Sequence, residues 1–245
     1  MLLLLLFAAG VWAGAQNALA GGGSFVTLPA LILTGLDAKL ANITSTVALF
    51  PGQVTTGWAG RSLVAGTERL SFRTLAAISI AGGIGGAFLL RVTPSALFAA
   101  MVPWLVLAAT ALFAWSSFGP KPQGGGTAPP AWVSALIQGG IALYSGFFGG
   151  GAGIVTLAAL TLARMPIRNA GGTKNVLVAL SNIAAAIVFA ATTAIPWSRA
   201  LVLGAGSMVG GYAGAALLKR VPAIVLRVAV VVIGCALTIG LFVRG

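Results

Sequence analysis

The feature that most constrains this chain is a succession of ten apolar segments separated by short loops. A helix of about 20 apolar residues crosses the hydrocarbon core of a bilayer, so the pattern predicts an all-α polytopic membrane protein. Residues 1–20 lack the basic start of a signal peptide, and we expect them to form the first membrane helix. The predicted segments are 1–20, 24–36, 40–60, 71–91, 95–117, 131–148, 152–165, 170–195, 197–218 and 222–243.

The charged residues exclude several classes of protein. They make up only 7% of the chain, with 14 Lys and Arg, 2 Asp and Glu, and no His. A soluble domain carries about 25% charged residues. Without histidine, and with Cys235 as the single cysteine, the chain offers neither a hydrolase triad nor a transition-metal cluster. We therefore expect no enzyme activity, no cofactor and no metal.

The basic residues are spread over the loops instead of forming one basic face, so we expect a lipid bilayer as partner and no nucleic acid. If alternate loops share a side, one side carries Arg61, Arg69, Arg73, Lys121, Arg164, Arg168, Lys219, Arg220 and Arg227. The other side carries only Lys39, Arg91, Arg199 and Arg244. The positive-inside rule places the first side in the cytoplasm and both termini outside.

A Gly/Pro-rich stretch at residues 119–130 divides the chain into two halves of similar length. We predict a first transmembrane repeat over 1–118 and a second over 131–245. At an offset near 128 residues, the run 21–24 (Gly-Gly-Gly-Ser) matches 149–152 (Gly-Gly-Gly-Ala). Thr44 likewise matches Thr173. With about five segments per half, the second copy is upside down, which predicts the two inverted repeats seen in many secondary transporters.

Three consecutive glycines are unfavourable inside a helix, and they occur at matching places in both halves. A broken helix in lipid is tolerated where its backbone lines a cavity or is satisfied by protein. The free N–H groups of the helix that follows favour an anion. We therefore predict broken or short helices after the triplets, with substrate contacts at Gly22, Gly23, Ser24, Gly150 and Gly151. A tight turn between packed helices is the alternative.

Polar side chains also cluster at the predicted start of the third segment of each half: Thr44 and Ser45 in the first, and Thr173, Lys174 and Asn175 in the second. Lys174 has no neighbouring carboxylate in the sequence, and an ionisable group in a membrane segment is a functional candidate. We predict that all five residues bind substrate. N-capping by the hydroxyls and snorkelling of Lys174 to the interface are the alternatives.

Gln53 and Asn182 occupy equivalent positions further along these two segments. In an inverted repeat the two side chains approach each other near the midplane, where such folds bind their substrates. We predict that both contact the substrate. An interhelical hydrogen bond is the alternative.

These motifs resemble the sulfite exporter TauE/SafE family of membrane permeases. The resemblance rests on GGGSFVTLPAL in the first half, and on FFGGGAGIVTLAAL followed by GGTKNVLVALSN in the second. It implies export of small sulfur-containing anions, such as sulfite or sulfoacetate and other organosulfonates, across the bacterial cytoplasmic (inner) membrane.

The energy source is predicted by elimination. The two carboxylates, Asp37 and Glu68, fall in predicted loops, so a carboxylate relay through the membrane is not expected. With the cytoplasm negative, the membrane potential favours outward movement of an anion by about 2.3 kcal/mol per charge and 100 mV. We therefore predict electrogenic anion export by alternating access. An anion channel and an importer of related sulfur oxyanions stay open as alternatives, and so does a homodimer.

Overall fold

The computed structural model describes residues 2–19, 22–59, 61–119, 128–217 and 223–244. Over these ranges the chain is helical and contains no β-strand, which confirms the all-α prediction. Each helix begins and ends within about three residues of a predicted segment. The helices are α1 (Leu2–Leu19), α2 (Ser24–Leu33), α3 (Ala38–Ala59), α4 (Phe72–Val92), α5 (Ser95–Phe118), α6 (Ala131–Phe147), α7 (Ala152–Leu162), α8 (Ile167–Thr192), α9 (Trp197–Leu217) and α10 (Ala223–Arg244), with a short 3-10 helix at Arg61–Leu63.

The helices fall into long and short ones. Within the described residues, α4, α5 and α8 are long and apolar enough to cross a membrane by length and composition. The second helix of each half, α2 with 10 residues and α7 with 11, rises only about 15 Å. That is about half of a hydrocarbon core, so α2 and α7 are short, as predicted.

Side-chain contacts define two opposite ends of the bundle. At one end, Lys39 at the start of α3 donates from Nζ to the carbonyl oxygens of Arg91 and Thr93 at the end of α4, over 2.8 and 2.7 Å. At the opposite end, Asn169 at the start of α8 donates from Nδ2 to the Leu63 carbonyl over 3.0 Å. We call these the Lys39 end and the arginine end.

The arginine end takes its name from the basic residues of the loop 60–71 and of the α7–α8 connection: Arg61, Arg69, Arg164 and Arg168. Of the other residues predicted for that side, Lys121, Lys219 and Arg220 lie outside the described part of the chain. Asp37 and Glu68 both lie in exposed loops, which confirms their predicted position. Asp37 caps α3, since its Oδ1 accepts from the N–H groups of Lys39 and Leu40.

The helix contacts of the two halves correspond to each other. α1 packs along α9 as α6 packs along α4, and α3 packs on α9 as α8 packs on α4. α2 contacts α1 and α3, and α7 contacts α6 and α8 in the same way. Two further pairs, α3 with α8 and α5 with α10, join equivalent helices. Each half therefore gives its first helix to the other half, and neither half packs as a separate domain.

Small residues allow the closest of these contacts. A Cβ atom at Gly10 or Gly14 of α1 would overlap the backbone of α9, and one at Gly86 of α4 would overlap the backbone of α6. Such spacing lets helix backbones approach in lipid, where packing and not the hydrophobic effect holds helices together. Contacts between α4 and α6 also show the direction of α6. Gly82 lies beside Ala142 and Gly86 beside Phe147, so α6 runs parallel to α4, from the arginine end towards the interior.

Candidate functional site

Both glycine runs interrupt the helical path, as predicted. α1 ends at Leu19 and α2 begins at Ser24, while α6 ends at Phe147 and α7 begins at Ala152. Gly22 has a φ of +87°, and Gly149 and Gly151 have φ of +77° and +76°. This left-handed conformation costs a residue with a Cβ roughly 1–2 kcal/mol, so the turns require glycine. We call the two turns the first and the second glycine break.

A polar side chain of the preceding helix braces each break. Gln16 of α1 donates from Nε2 to the Gly22 carbonyl over 3.0 Å, and Tyr144 of α6 donates from Oη to the Gly150 carbonyl. Asn17 adds a further contact in the first break, because its Oδ1 accepts from the Gly23 N–H over 2.8 Å. These bonds satisfy backbone groups that a broken helix leaves open in the interior.

The two breaks meet at a polar cavity between α3 and α8. The first break and α2 contribute Gly22 and Ser24, and the second break and α7 contribute Gly149 and Gly153. Residues of α3, of α8 and of the end of α1 complete the walls. The remaining lining residues are Asn17, Gln53, Thr56, Lys174, Asn175 and Val178.

Gln53 and Asn182 are in contact, as the repeat predicts. Asn182 donates from Nδ2 to Gln53 Oε1 over 3.0 Å, and its own Oδ1 accepts from Ser145 Oγ over 3.0 Å. This chain of three side chains joins α6, α8 and α3. It uses the acceptor oxygen of Gln53 and leaves the two N–H donors of that amide for the cavity. Gln53 lines the cavity, whereas Asn182 stands behind it and orients Gln53.

Lys174 is the charged group of the site. It is only 6% exposed and lines the cavity, so it does not reach the surface by snorkelling. No hydrogen-bond acceptor or carboxylate is in contact with its ammonium group within the described residues. The two carboxylates of the chain, Asp37 and Glu68, lie in loops outside the helices. A buried charge is costly unless it is paired, which makes Lys174 a group that favours an anionic partner.

The other groups around the cavity are also mainly donors. The Gly153 N–H, at the start of α7, has no partner within the described residues, and Ser24 and Asn175 add a hydroxyl and an amide. The start of α7 brings the positive end of a helix dipole to the same place. A site with one ammonium, several N–H and O–H donors and no carboxylate is suited to a small anion.

The cavity is small in this conformation, at about 30 Å³. A water needs roughly 10–15 Å³ measured in this way, so the space holds one or two waters. A solute larger than this space can be bound there only if the helices that line the cavity move.

Three predicted residues lie away from the cavity. α3 and α8 begin earlier than expected, so Thr44, Ser45 and Thr173 are inside helices, and the alternative that they act as N-caps is wrong. Thr44 Oγ1 donates to the Leu40 carbonyl. Thr173 Oγ1 accepts from the Ala65 N–H and ties α8 to the loop 60–71. The Ser45 hydroxyl lies 2.5 Å from that of Thr27.

Of the twelve predicted residues, the cavity brings together Gly22, Ser24, Gln53, Lys174 and Asn175. Gly23, Gly150, Gly151 and Asn182 are adjacent to lining residues and shape the breaks or the polar chain. Their part in substrate binding stays a prediction. Lining residues missed by the prediction are Asn17, Thr56, Gly149, Gly153 and Val178.

Helical spacing would have indicated some of the missed residues. Thr56 follows Gln53 by three positions and Val178 follows Lys174 by four, so each shares a helix face with a predicted residue. Asn17 is a polar residue one position after Gln16 at the end of an apolar helix. Nothing in its position along the chain indicates that it faces α3 and α8.

Comparison with known proteins agrees with this arrangement. The chain matches the family described as "Sulfite exporter TauE/SafE" over residues 6–241. It is 30% identical to "Probable membrane transporter protein ORF9" of a Sinorhizobium species, over 98% of this chain and 92% of that protein. It is also 30% identical to a "Probable membrane transporter protein" of Haemophilus influenzae, over 97% and 93% of the two chains.

A more distant relative is "Probable membrane transporter protein YfcA" of Escherichia coli K12, 26% identical over 97% of this chain and 88% of that protein. No solved structure matches the chain significantly. The relatives are named as transporters and cover nearly the whole chain, which makes this an integral membrane protein. The chain belongs to the sulfite exporter TauE/SafE family of membrane transporters.

Proposed function

We propose that this protein is a secondary transporter that exports small sulfur-containing anions, such as sulfite or sulfoacetate, across the bacterial inner membrane. The observation that carries the proposal is the cavity in which two interrupted helices meet beside a buried lysine without a carboxylate partner. Broken helices near the midplane are where secondary transporters bind their substrates. The name of the family supplies the sulfur oxyanion as the first substrate to test.

Alternating access between inverted repeats is the mechanism that we propose. The corresponding helix contacts of the two halves support it. The opposite directions of α3 and α8 support it as well. They follow because Gln53 contacts Asn182, whereas Gly57, further along α3, lies beside Ala179, which comes earlier in α8. With the polar residues of both breaks gathered at one cavity, a rocking motion of the halves exposes the same site to either side.

The basic loops suggest the orientation. Arg61, Arg69, Arg164 and Arg168 lie at the arginine end, so by the positive-inside rule this end faces the cytoplasm. The multi-pass chain then takes up its anion at the arginine end and releases it at the Lys39 end. An open channel is less well supported, because the cavity of about 30 Å³ admits only one or two waters.

Membrane potential is the proposed energy source. The charge of one anion moving outward gains about 2.3 kcal/mol per 100 mV, which supports a concentration ratio of about fifty-fold. The test uses purified protein in liposomes, with radiolabelled sulfite and sulfoacetate outside and a potential imposed by a potassium gradient and valinomycin.

Uptake is expected to accelerate when the vesicle interior is positive and to slow when it is negative, and empty liposomes are the control. A rate that does not respond to the potential contradicts the electrogenic mechanism. The absence of transport of either anion contradicts the proposed substrate class. Currents far above carrier turnover would identify an anion channel, and net movement against the potential would identify a coupled importer.

A further inference from the structure

Buried polar contacts join the helices toward the Lys39 end, the first between the two halves and the second within the first half. Asn42 of α3 is 1% exposed and donates from Nδ2 to the carbonyl of Phe147, the last residue of α6, over 3.0 Å. One turn further along α3, the Ser45 hydroxyl contacts the Thr27 hydroxyl of α2. These contacts hold the second glycine break and α2 against the start of α3.

The equivalent positions near the arginine end carry different residues and make no corresponding contacts within the described residues. Since Thr44 matches Thr173, Asn42 corresponds to Gly171 and Ser45 to Lys174. A Cβ atom at Gly171 would meet no atom within 4 Å, and Lys174 lines the cavity. The two ends therefore differ in sequence at these two equivalent positions. The Lys39 end has the Asn42 hydrogen bond to α6, which we call the latch, and the arginine end has the Lys174 cation.

We propose that the transporter has a second substrate position near the Lys39 end, lined by Ser45, Thr46 and Asn182, which lacks a cation and releases the anion. This inference rests on the proposed function. If the two repeats exchange conformations, each residue that lines the cavity is replaced there by its equivalent from the other repeat. Ser45, Thr46 and Asn182 then take the places of Lys174, Asn175 and Gln53. The Asn42 contact to α6 is the latch that breaks when this position opens.

The exchange also gives Lys174 a new environment. Thr156 of α7 is the equivalent of Thr27, because each is the middle residue of a Val-Thr-Leu run, at 155–157 and 26–28. In the exchanged state Lys174 packs against Thr156 as Ser45 now packs against Thr27. The anion then keeps hydroxyl and amide donors but loses its charged partner.

A difference in affinity between the two sides follows. One charge-assisted hydrogen bond is worth about a tenfold change in binding or more, so the anion is held more tightly near the arginine end than near the Lys39 end. This difference does not drive net transport, since the conformational equilibrium compensates for it. It sets the side of the membrane on which the anion dissociates readily.

The first test measures which end is open. Thr46→Cys and Asn175→Cys, equivalent positions near the two ends, are each made in a Cys235→Ala background, because Cys235 is exposed. Reaction with a membrane-impermeant maleimide is expected to be several-fold faster at Asn175→Cys. Adding Gly171→Asn installs a second latch and shifts the ratio of the two rates toward Thr46→Cys, whereas Gly171→Ala fills the same space without an amide and leaves the ratio unchanged. A ratio that Gly171→Asn does not move overturns the latch.

The second test measures affinity from each side. Half-saturation for radiolabelled sulfite is compared in membrane vesicles of the two orientations, and the value at the Lys39 end is expected to be about tenfold higher or more. Ser45→Lys reduces this ratio. Equal values on both sides in a protein that transports sulfite overturn the second position. If neither sulfite nor sulfoacetate is transported, the proposed function fails, and the labelling ratios decide the inference on their own.

Discussion

The two glycine breaks have corresponding braces and face different side chains. Each follows a first helix, contains glycine at positive φ and is braced by a side chain of that helix, Gln16 in the first break and Tyr144 in the second. The equivalent residues on the third helices are Ser45, which is packed against Thr27, and Lys174, which lines the cavity. The duplicated backbone supplies two similar frames, and one charge makes them different.

This difference has a physical reason. A second lysine in place of Ser45 would leave another buried ammonium group without a carboxylate, and its desolvation would be costly. With no lysine, the cavity would offer neutral donors only. In the proposed mechanism, a single lysine supplies the charge for a monovalent anion and gives the two ends different affinities.

The variant Lys174→Met is expected to have the largest effect on transport. This change removes the one charge among the described residues that line the cavity and leaves the neutral donors, so sulfite transport at low concentration should fall on the order of 100-fold. Lys39→Met is the matched control, because Lys39 bonds the end of α4 far from the cavity. Transport by Lys174→Met close to the wild-type rate would remove Lys174 from the site.

A smaller effect tests whether the two breaks share their backbone design. Gly22→Ala and Gly151→Ala each place a Cβ at positive φ, so each should lower the free energy of unfolding by about 1–2 kcal/mol. Gly140→Ala is the control, since a Cβ there meets nothing within 4 Å. Thermal unfolding in detergent measures the three variants. A loss at one break only would show that the turns are not equivalent.

The polar chain behind the cavity sharpens the role of Gln53. Asn182→Ala removes the donor that holds Gln53 Oε1, so the amide no longer presents its N–H groups in a fixed direction. We expect half-saturation for sulfite to rise about fivefold to tenfold. Gln53→Ala alone and the double variant complete the cycle. Additive effects of the two changes would contradict a positioning role of Asn182 through Gln53.

The smallest expected effect concerns the braces. Tyr144→Phe removes one hydrogen bond to the Gly150 carbonyl, and Gln16→Leu removes the corresponding bond to the Gly22 carbonyl. Each should lower the free energy of unfolding by about 1 kcal/mol. Tyr212→Phe, on an exposed tyrosine, is the control. A similar decrease in the free energy of unfolding of both variants supports equivalent braces. A decrease in Tyr144→Phe alone would show that only the second break depends on its brace.

Much of the fold follows from the order of residues, because hydropathy and helix-breaking residues act locally. α3 begins at Ala38, two residues before the predicted segment, and Asp37 caps it instead of Thr44 or Ser45. Thr44 and Ser45 therefore lie inside the helix. Their hydroxyls then bond the preceding turn or α2 instead of facing a cavity.

The site was predictable where equivalence between the halves determines it. Gln53 and Asn182 are in contact, as expected if a two-fold relation brings equivalent residues of α3 and α8 together. The same cluster of polar residues predicts Thr173 and Lys174 for the site. The Thr173 hydroxyl instead accepts from the Ala65 N–H, in the loop that precedes α4. Neighbours on a helix point in directions about 100° apart, so Lys174 and Thr173 serve different surfaces.

The sequence by itself determined the helical membrane class, the helix order, the two glycine breaks and the presence of Lys174 in an apolar segment, because these depend on composition and local spacing. Only the tertiary structure decided that α1 packs on α9, that Asn17 faces the cavity, and that Asn42 bonds the end of α6 while Gly171 makes no such contact. Those features depend on the rotation of each helix against its neighbours, which close packing fixes and local spacing does not.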